Sequence, residues 1–348
     1  MIELVITMCL AQEPGVCSDH ILPEATSVTK QQCETSAKTR IERWQNNHPD
    51  LTIKGWACKP PDIPPLSVTE IATGIWVHKG LHEVPTPKNA GDLANISFVV
   101  GTDAVAVIDA GGSRDVAEGL WMAIRQVTDL PVKWLVLTHM HPDHVMGASL
   151  YWDADVQIIA HNNFPSALAS RAMTYDANFE VLIGAERMIL SNVIPTENIK
   201  VGVAGIDLGG RMLAFTETAT AHTDNDLRVF DDLSRTIWMG DLVFAEHTPA
   251  LDGSITGWLG VLDKMRSFGA DRMVPGHGPV SLPWPKGMDA VFDYLSAIAD
   301  ETRDAINKGE SLSMAIAHIG ESQREKWELF DEFNARNATA AYTELEWE

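Results

Sequence analysis

Three histidines and one aspartate lie within six residues of this chain, at positions 139–144 (HMHPDH). Imidazole nitrogens and carboxylate oxygens bind Zn²⁺ at about 2.0–2.2 Å. The run directly follows the apolar residues 131–137, which are predicted to form a buried strand. We expect His139 and His141 on one side of the turn, with Asp143 and His144 displaced towards a second point. This arrangement favours two neighbouring metals over one.

Three later positions supply the ligands that such a site still lacks. His222, Asp241 and His277 each follow a short apolar run and have a glycine or another small residue beside them. Small neighbours allow backbone and side chain to approach a crowded centre. The remaining seven histidines are expected to be structural or surface residues: His20, His48, His78, His82, His161, His247 and His318.

The order H-x-H-x-D-H, a lone His, a lone Asp and a G-H-G turn resembles the metallo-β-lactamase superfamily over roughly residues 69–285. A finer similarity, to the SoxH-like or quinoprotein relay system zinc metallohydrolases, rests on residues 222–227, 251–254 and 340–348. The resemblance implies an α/β fold, the four-layer αββα sandwich. It also implies two zinc ions per chain, one bound by His139, His141 and His222, the other by Asp143, His144 and His277, with Asp241 bridging them.

Four further roles are predicted around this centre. Asp109 and Thr138 are expected to orient the metal-binding imidazoles by accepting their other N–H groups. Asp143 is the carboxylate best placed to carry a proton. His82, in the turn-rich residues 80–92, and Trp258, between Asp241 and His277 along the chain, are candidates for the substrate rim. The insert between His144 and His222 is a second candidate wall, although an apolar stripe at helical spacing more often packs in a core.

The predicted function is a binuclear zinc hydrolase, in which a metal-bound hydroxide attacks the carbonyl of a small ester, thioester or lactone. A persulfide dioxygenase with a single iron is one alternative. A second is an accessory protein that binds a periplasmic redox or quinoprotein partner through residues 1–58. A β-lactamase is a third alternative, disfavoured because Asp241 stands where many class B1 enzymes have cysteine.

Composition limits the partners and the compartment. The 348 residues carry a net charge of −22, from 26 basic and 48 acidic side chains, which argues against nucleic acid as a ligand. No apolar run reaches the roughly 18 residues that suggest a membrane span. All four cysteines lie within residues 1–58. Disulfides would suit the periplasm, whereas four free thiols and the lack of a clear signal peptide would suit the cytoplasm.

The chain is predicted to divide at the proline-rich residues 59–68. Residues 1–58 are interpreted as a small βαβ module, whose strand–helix–strand order favours the pairings Cys9–Cys58 and Cys17–Cys33. Residues 69–285 are expected to form the catalytic domain, and residues 286–348 a helical region packed on it.

Overall fold

The computed structural model describes residues 1–26, 28–191 and 194–348. Residues 1–59 form a small antiparallel sheet with one helix. Its elements are β1 (Glu3–Leu10), β2 (Cys17–Leu22), α1 (Lys30–Asn47) and β3 (Leu51–Lys59). The strand order is β2-β1-β3, and β1 is antiparallel to both neighbours. The helix α1 begins at a capping box in which the Thr29 hydroxyl accepts from the backbone amide of Gln32.

The predicted cysteine pairing is wrong. The disulfides are Cys9–Cys17 and Cys33–Cys58. Two features of the sheet explain the error. The strand β2, which the βαβ interpretation omitted, sets Cys17 directly opposite Cys9. The antiparallel register of β3 pairs Cys58 with Leu4, so Cys58 lies at the far end of β1 from Cys9.

A six-stranded sheet contains the residues that lead into the HMHPDH run. Its strands are β4 (Val68–Ala72), β5 (Ile75–His78), β6 (Ile96–Val100), β7 (Val105–Ile108), β8 (Val132–Val136) and β9 (Gln157–Ile159), in this order across the sheet. The helices that accompany it are α2 (Arg114–Val127), α3 (Pro142–Val145), α4 (Ala148–Asp153), α5 (Phe164–Ile183) and α6 (Ala185–Met188). Ser113 caps α2 by accepting from the backbone amide of Val116.

A second six-stranded sheet carries the later predicted ligands. Its strands, again in sequence order, are β10 (Gly205–Asp207), β11 (Met212–Glu217), β12 (Leu227–Asp231), β13 (Thr236–Phe244), β14 (Arg272–His277) and β15 (Leu282–Pro283). The helices that follow or interrupt it are α7 (Ile255–Met265), α8 (Asp289–Asn307), α9 (Leu312–Ala315) and α10 (Phe330–Leu345).

The two sheets face each other, and helices cover their outer faces. Residues from both sheets, such as Val99 and Val136 from the first and Val229 and Trp238 from the second, share one buried cluster. Alternate residues of the strands point away from this cluster and pack on helices. The first sheet contributes to a core with α2, and the second to a core with α7, α8 and α10. The four-layer αββα sandwich is therefore confirmed.

The N-terminal sheet packs against α2 through a buried polar network. The Arg114 guanidinium is fully buried and donates to the carbonyl of Ile21 at 2.8 Å. The same side chain donates to Glu118 at 3.1 Å and to Asp153 at 2.8 Å. Glu118 in turn accepts from the Ile21 amide at 3.0 Å. Because these groups are buried together, the network fixes the N-terminal sheet against the first helical layer.

Within the described residues, no helix combines the length and apolar character needed to cross a membrane.

Candidate metal centre

The seven predicted ligands meet at one edge of the sandwich, although 138 positions separate the first from the last. His139 and His141 follow β8, and Asp143 and His144 lie in the short helix α3. The other three come from the second sheet: His222 from the loop between β11 and β12, Asp241 from β13, and His277 from the end of β14. The strands of both sheets and the segments that follow them therefore position these side chains.

Three imidazoles and one carboxylate oxygen form the first group. His139 Nε2 and His222 Nε2 each lie 3.4 Å from Asp241 Oδ2. His222 Nε2 is also 3.0 Å from His141 Nδ1. These four residues present ligand atoms within 4.8 Å of one another.

The second group faces the other oxygen of the same aspartate. His144 Nε2 lies 3.1 Å from Asp241 Oδ1, and His277 Nε2 lies 3.5 Å from it. Asp143 Oδ2 is 3.3 Å from His277 Nε2. Asp143, His144 and His277 again have ligand atoms within 4.8 Å of one another. Asp241 thus presents one oxygen to each group, the geometry of a bridging carboxylate.

Gly276 makes room for this aspartate. A β-carbon at position 276 would stand 1.9 Å from Asp241 Oδ1 and 2.9 Å from the Gly240 carbonyl carbon. No side chain fits at such a distance, so only glycine allows β14 to pass this close to the Asp241 carboxylate. The glycine before His277 is therefore required by the geometry of the neighbouring aspartate.

Asp109 and Thr138 lie behind the ligands, at the end of the first sheet. Asp109 Oδ2 accepts from His144 Nδ1 at 2.8 Å and from the Thr138 hydroxyl at 2.8 Å, while its Oδ1 accepts from the Thr138 amide at 2.8 Å. Thr138 Oγ1 is 3.1 Å from His139 Nδ1. Asp109 has a φ of 60°, a left-handed conformation that is uncommon outside glycine. These contacts turn Nε2 of His139 and of His144 towards the centre.

Two contacts of this kind were not predicted from the sequence. His277 Nδ1 lies 3.1 Å from the carbonyl oxygen of Leu93. His141 Nε2 lies 3.1 Å from Asp252 Oδ2, and Arg171 donates to the same oxygen. Asp252 belongs to a string of residues that carried the finer resemblance, and this was the only signal for it. Nothing in the local sequence marks Leu93 or Arg171, because both reach the centre only through the tertiary fold.

Electrostatics within the centre favour positive charge. Burial opposes the ionised form of Asp241, but the surrounding histidines, His144 foremost, hold its pKa well below the ordinary value. Burial likewise opposes protonation of His277, but Asp241 and Asp143 outweigh it and raise its pKa to about 9. By contrast, burial and the neighbouring His144 lower the pKa of His139 to about 4. The carboxylates therefore favour positive charge beside His144 and His277, a charge that a bound cation would supply in place of protons, whereas the imidazole of His139 stays neutral.

The donor atoms fit bound zinc. Among the described residues, four buried atoms in this centre have no hydrogen-bond partner, and three of them point into it: His139 Nε2, His144 Nε2 and Asp241 Oδ1. Buried polar atoms are seldom left without a partner unless a ligand supplies one. Five imidazoles and two carboxylates also match the preference of Zn²⁺ for nitrogen and oxygen ligands.

A cavity of about 490 Å³ opens onto the centre. Its lining includes Asp143, Asp241 and His277, side chains of α5 and α10, and residues 83–85. His247, expected to be a structural or surface histidine, also lines it and packs against His277 with ring centroids 4.8 Å apart.

The two rim candidates lie outside the lining of this cavity. Trp258 is fully buried: its indole packs against His222 with ring centroids 5.2 Å apart and donates to the Leu242 carbonyl. It supports the centre from within the core because it occupies the buried face of α7. His82 contacts Glu328 at 2.8 Å and His247 with ring centroids 5.9 Å apart, one layer behind the cavity wall.

Comparison with known proteins agrees with this geometry. The sequence profile of the metallo-β-lactamase superfamily matches residues 90–277, more than half of the chain. The chain belongs to the metallo-β-lactamase superfamily. All seven candidate ligands of this superfamily member lie within the matched residues. The finer resemblance to the SoxH-like branch stays a prediction.

Two curated relatives are similar over about 60% of the chain. One is a linear primary-alkylsulfatase of Pseudomonas sp., 25% identical over 241 residues, which cover 59% of this chain and 43% of that protein. The other is a β-lactamase-like protein 2 homolog of Caenorhabditis elegans, 24% identical over 213 residues, which cover 60% of this chain and 63% of that protein. The match thus spans less than two thirds of either relative.

Solved structures share the fold. A metallo-β-lactamase from Pontibacter korlensis superposes with a TM-score of 0.53 at 20% identity, over 66% of this chain and 99% of that one. A stereoselective inverting sec-alkylsulfatase from Pseudomonas sp. superposes with a TM-score of 0.58 at 15% identity, over 80% of this chain and 50% of that one. At these identities the likeness establishes the fold alone.

Proposed function

We propose that the protein is a binuclear zinc hydrolase that cleaves an ester, thioester or lactone. The observation that carries the proposal is the position of Asp241, whose two oxygens face two separate groups of ligand atoms. His139, His141 and His222 would hold one cation, and Asp143, His144 and His277 the other. When bound, the two cations would supply a nucleophilic water at neutral pH and polarise a substrate oxygen.

The side chains of the protein have three tasks in this reaction. Asp109, Thr138 and Asp252 hold the imidazoles in the tautomers that leave one nitrogen free for a cation. Asp143 lines the cavity and is partly exposed there, so it can pass a proton from the attacking water to the leaving group. One water is consumed: its oxygen bonds to the acyl carbon, the C–O or C–S bond breaks, and the leaving group takes the proton.

The cavity supports a substrate with an apolar body. Phe179, Leu182 and Phe333 line it on the side of α5 and α10, whereas the charged ligands lie at its floor. Apolar walls with a few convergent polar groups are typical of small-molecule sites. A substrate with an aliphatic or aromatic group next to the scissile bond would place that group against the apolar wall and the bond beside the charged ligands.

Sulfate esters are the second candidate substrates. An alkylsulfatase is among the relatives of this chain, and another is among the proteins of the same fold. Arg171 and Arg336 line the cavity, and a guanidinium suits an anionic sulfate group. Arg171, however, already donates to Asp252, whereas Arg336 forms no ion pair within the described part of the chain and is open to such a group.

Metal analysis and a substrate panel test the proposal. We expect close to two zinc ions per chain, and hydrolysis of one member of a panel of aryl esters, thioesters, lactones, alkyl sulfates and β-lactams. Removal of metal by a chelator should abolish the activity, and added Zn²⁺ should restore it. His144→Gln should lose metal and activity, whereas the matched variant His318→Gln, at an exposed histidine paired with Glu310, should keep both. One iron per chain with sulfur-oxidising activity would favour the persulfide dioxygenase instead.

A further inference from the structure

The N-terminal sheet and α1 share a core that also contains two residues from far along the chain. Ile189 and Leu190 directly follow α6, and both are buried in this core. Every other member of the core lies within residues 2–58. Because α5 and α6 lead straight into Ile189, the core of the N-terminal sheet is completed by a segment that comes from the cavity wall.

Backbone conformation and polar contacts hold this segment in place. Leu190 has a φ of 63°, a left-handed conformation that is uncommon for a residue with a bulky side chain. Such a conformation persists where the surroundings fix it. The Leu190 carbonyl accepts from the buried hydroxyl of Ser149, and the Ser191 hydroxyl accepts from the backbone amide of Arg114 at 2.8 Å. The segment is therefore attached to α4 and α2 as well as to the N-terminal core.

The helix α5 has few buried contacts of its own. Of its 20 residues, the buried ones are two near its start and two near its end: Phe164, Leu168, Phe179 and Ile183. Between these ends Arg171 lines the cavity, and Met173 is 88% exposed. The ion pair of Arg171 with Asp252 adds little, since both side chains are more than 30% exposed. The position of α5 over the cavity therefore depends on the attachment of its ends.

The last turn of α5 joins this attachment to the metal centre. Phe179 and Ile183 pack with Met146, which directly follows the helix α3 that carries Asp143 and His144. Met188 of α6 packs on the same cluster, and Phe179 also lines the cavity. Packed side chains thus run without a break from the cavity wall through α6 to the core of the N-terminal sheet.

We propose that Ile189 and Leu190 are positioning residues, through which the N-terminal sheet holds α5 at a fixed distance from the metal centre and sets the affinity for the substrate. This inference rests on the proposed hydrolase function, in which the cavity is the substrate site. The candidate metal ligands lie in the two large sheets, the segments that follow their strands and α3, and none lies on α5 or α6. Loss of the attachment should therefore raise KM while the metal content stays the same.

Two matched truncations test the attachment. Leu190→Ala and Leu51→Ala remove the same groups from the same core, at residues that are 4% and 5% exposed, but only the first lies on the segment that leads to α5. Hydrogen exchange of the zinc-loaded proteins is followed by mass spectrometry. The amides of residues 172–183 should exchange at least about tenfold faster in Leu190→Ala than in Leu51→Ala, because α5 then opens without the rest of the core.

Kinetics separate the positioning role from a purely structural one. With a panel substrate that the wild type hydrolyses, KM of Leu190→Ala should rise about 3- to 10-fold while kcat stays within about twofold, because the wall is displaced and the metal centre is not. Both constants of Leu51→Ala should stay within about twofold of wild type. Leu190→Met keeps most of the volume and should restore both KM and slow exchange.

The two measurements also separate this inference from the hydrolase proposal. If the wild type hydrolyses nothing in the panel, the hydrolase proposal fails, and the exchange comparison still decides whether Leu190 positions α5. Equal exchange of α5 in the two truncations, an unchanged KM, or loss of zinc from Leu190→Ala would each overturn the inference. Should Leu190→Ala fail to fold, Ile189→Val and Ile6→Val form a milder matched pair in the same core, for which the same order of exchange rates is expected.

Discussion

Arg114 offers the most direct test of how the N-terminal sheet is held on the sandwich. Its guanidinium is fully buried, and the carboxylates of Glu118 and Asp153 that it contacts are each about 2% exposed. The substitution Arg114→Met keeps most of the aliphatic volume but removes the positive charge. Two buried carboxylates and the carbonyl of Ile21 then lose their common donor.

The expected loss of stability is large. Removing one partner of a buried ion pair costs about 3–5 kcal/mol, because the other charge is left uncompensated. The lost bond to the Ile21 carbonyl adds about 1 kcal/mol. Two histidines limit the damage, since His20 lies 3.2 Å from Glu118 and His48 lies 3.1 Å from Asp153. We therefore expect the free energy of unfolding to fall by about 3–5 kcal/mol in total.

Urea unfolding followed by tryptophan fluorescence measures this change. The matched control is Arg303→Met, which breaks the exposed pair between Arg303 and Glu348 and should cost less than about 1 kcal/mol. A loss below about 1 kcal/mol for Arg114→Met would refute the reasoning, because it would mean that the buried carboxylates find other partners or protons at little cost.

Four further predictions follow from the site and from the N-terminal sheet. Asp241→Ala should weaken the second metal more than the first, because the first keeps three imidazoles; two unchanged affinities in a zinc titration would make Asp241 structural. Asp143→Asn should lower kcat by at least about 100-fold while the urea midpoint stays near that of wild type, since the volume is kept and the proton carrier is lost. A thiol assay on denatured, unreduced protein should find close to no free thiol, and four would contradict the disulfides. Burial raises the pKa of Glu3 from 4.5 to about 7, so its ionisation costs stability as the pH rises through this window. Glu3→Gln should therefore gain about 2–3 kcal/mol relative to wild type between pH 5 and pH 8 in urea titrations, and a gain that does not depend on pH would contradict the shift.

The gathering of the candidate ligands was largely predictable because most of them lie in or shortly after an apolar strand. His139 follows β8 and His277 ends β14, and the ends of strands converge in a layered fold, whereas Asp241 lies inside the buried strand β13. The supporting carboxylate Asp109 was predictable for the same reason, since it directly follows β7. The local sequence is sufficient to predict that a residue belongs to the site wherever the strand before that residue fixes the position of its side chain.

Contacts that depend on register or on distant packing could not be predicted in this way. The disulfides required the pairing of Cys17 opposite Cys9, and the βαβ interpretation did not include β2. The contact between His141 and Asp252 joins residues 111 positions apart. Trp258 was placed at a rim because of its position along the chain, but the periodicity of α7 turns it into the core.

The superfamily match covers the candidate ligands at the cavity, but it does not cover the part of the wall formed by residues 83–85 and α10. The superfamily match covers residues 90–277, which include every candidate metal ligand. Residues 83–85 and the α10 side chains Phe333 and Arg336 also line the cavity, and all of them lie outside the match. The candidate ligands therefore lie within the part of the chain that the superfamily match covers, whereas these residues of the wall lie beyond it. A substrate panel that varies the group expected to pack against α10 therefore tests the part of the cavity on which the superfamily match gives no information.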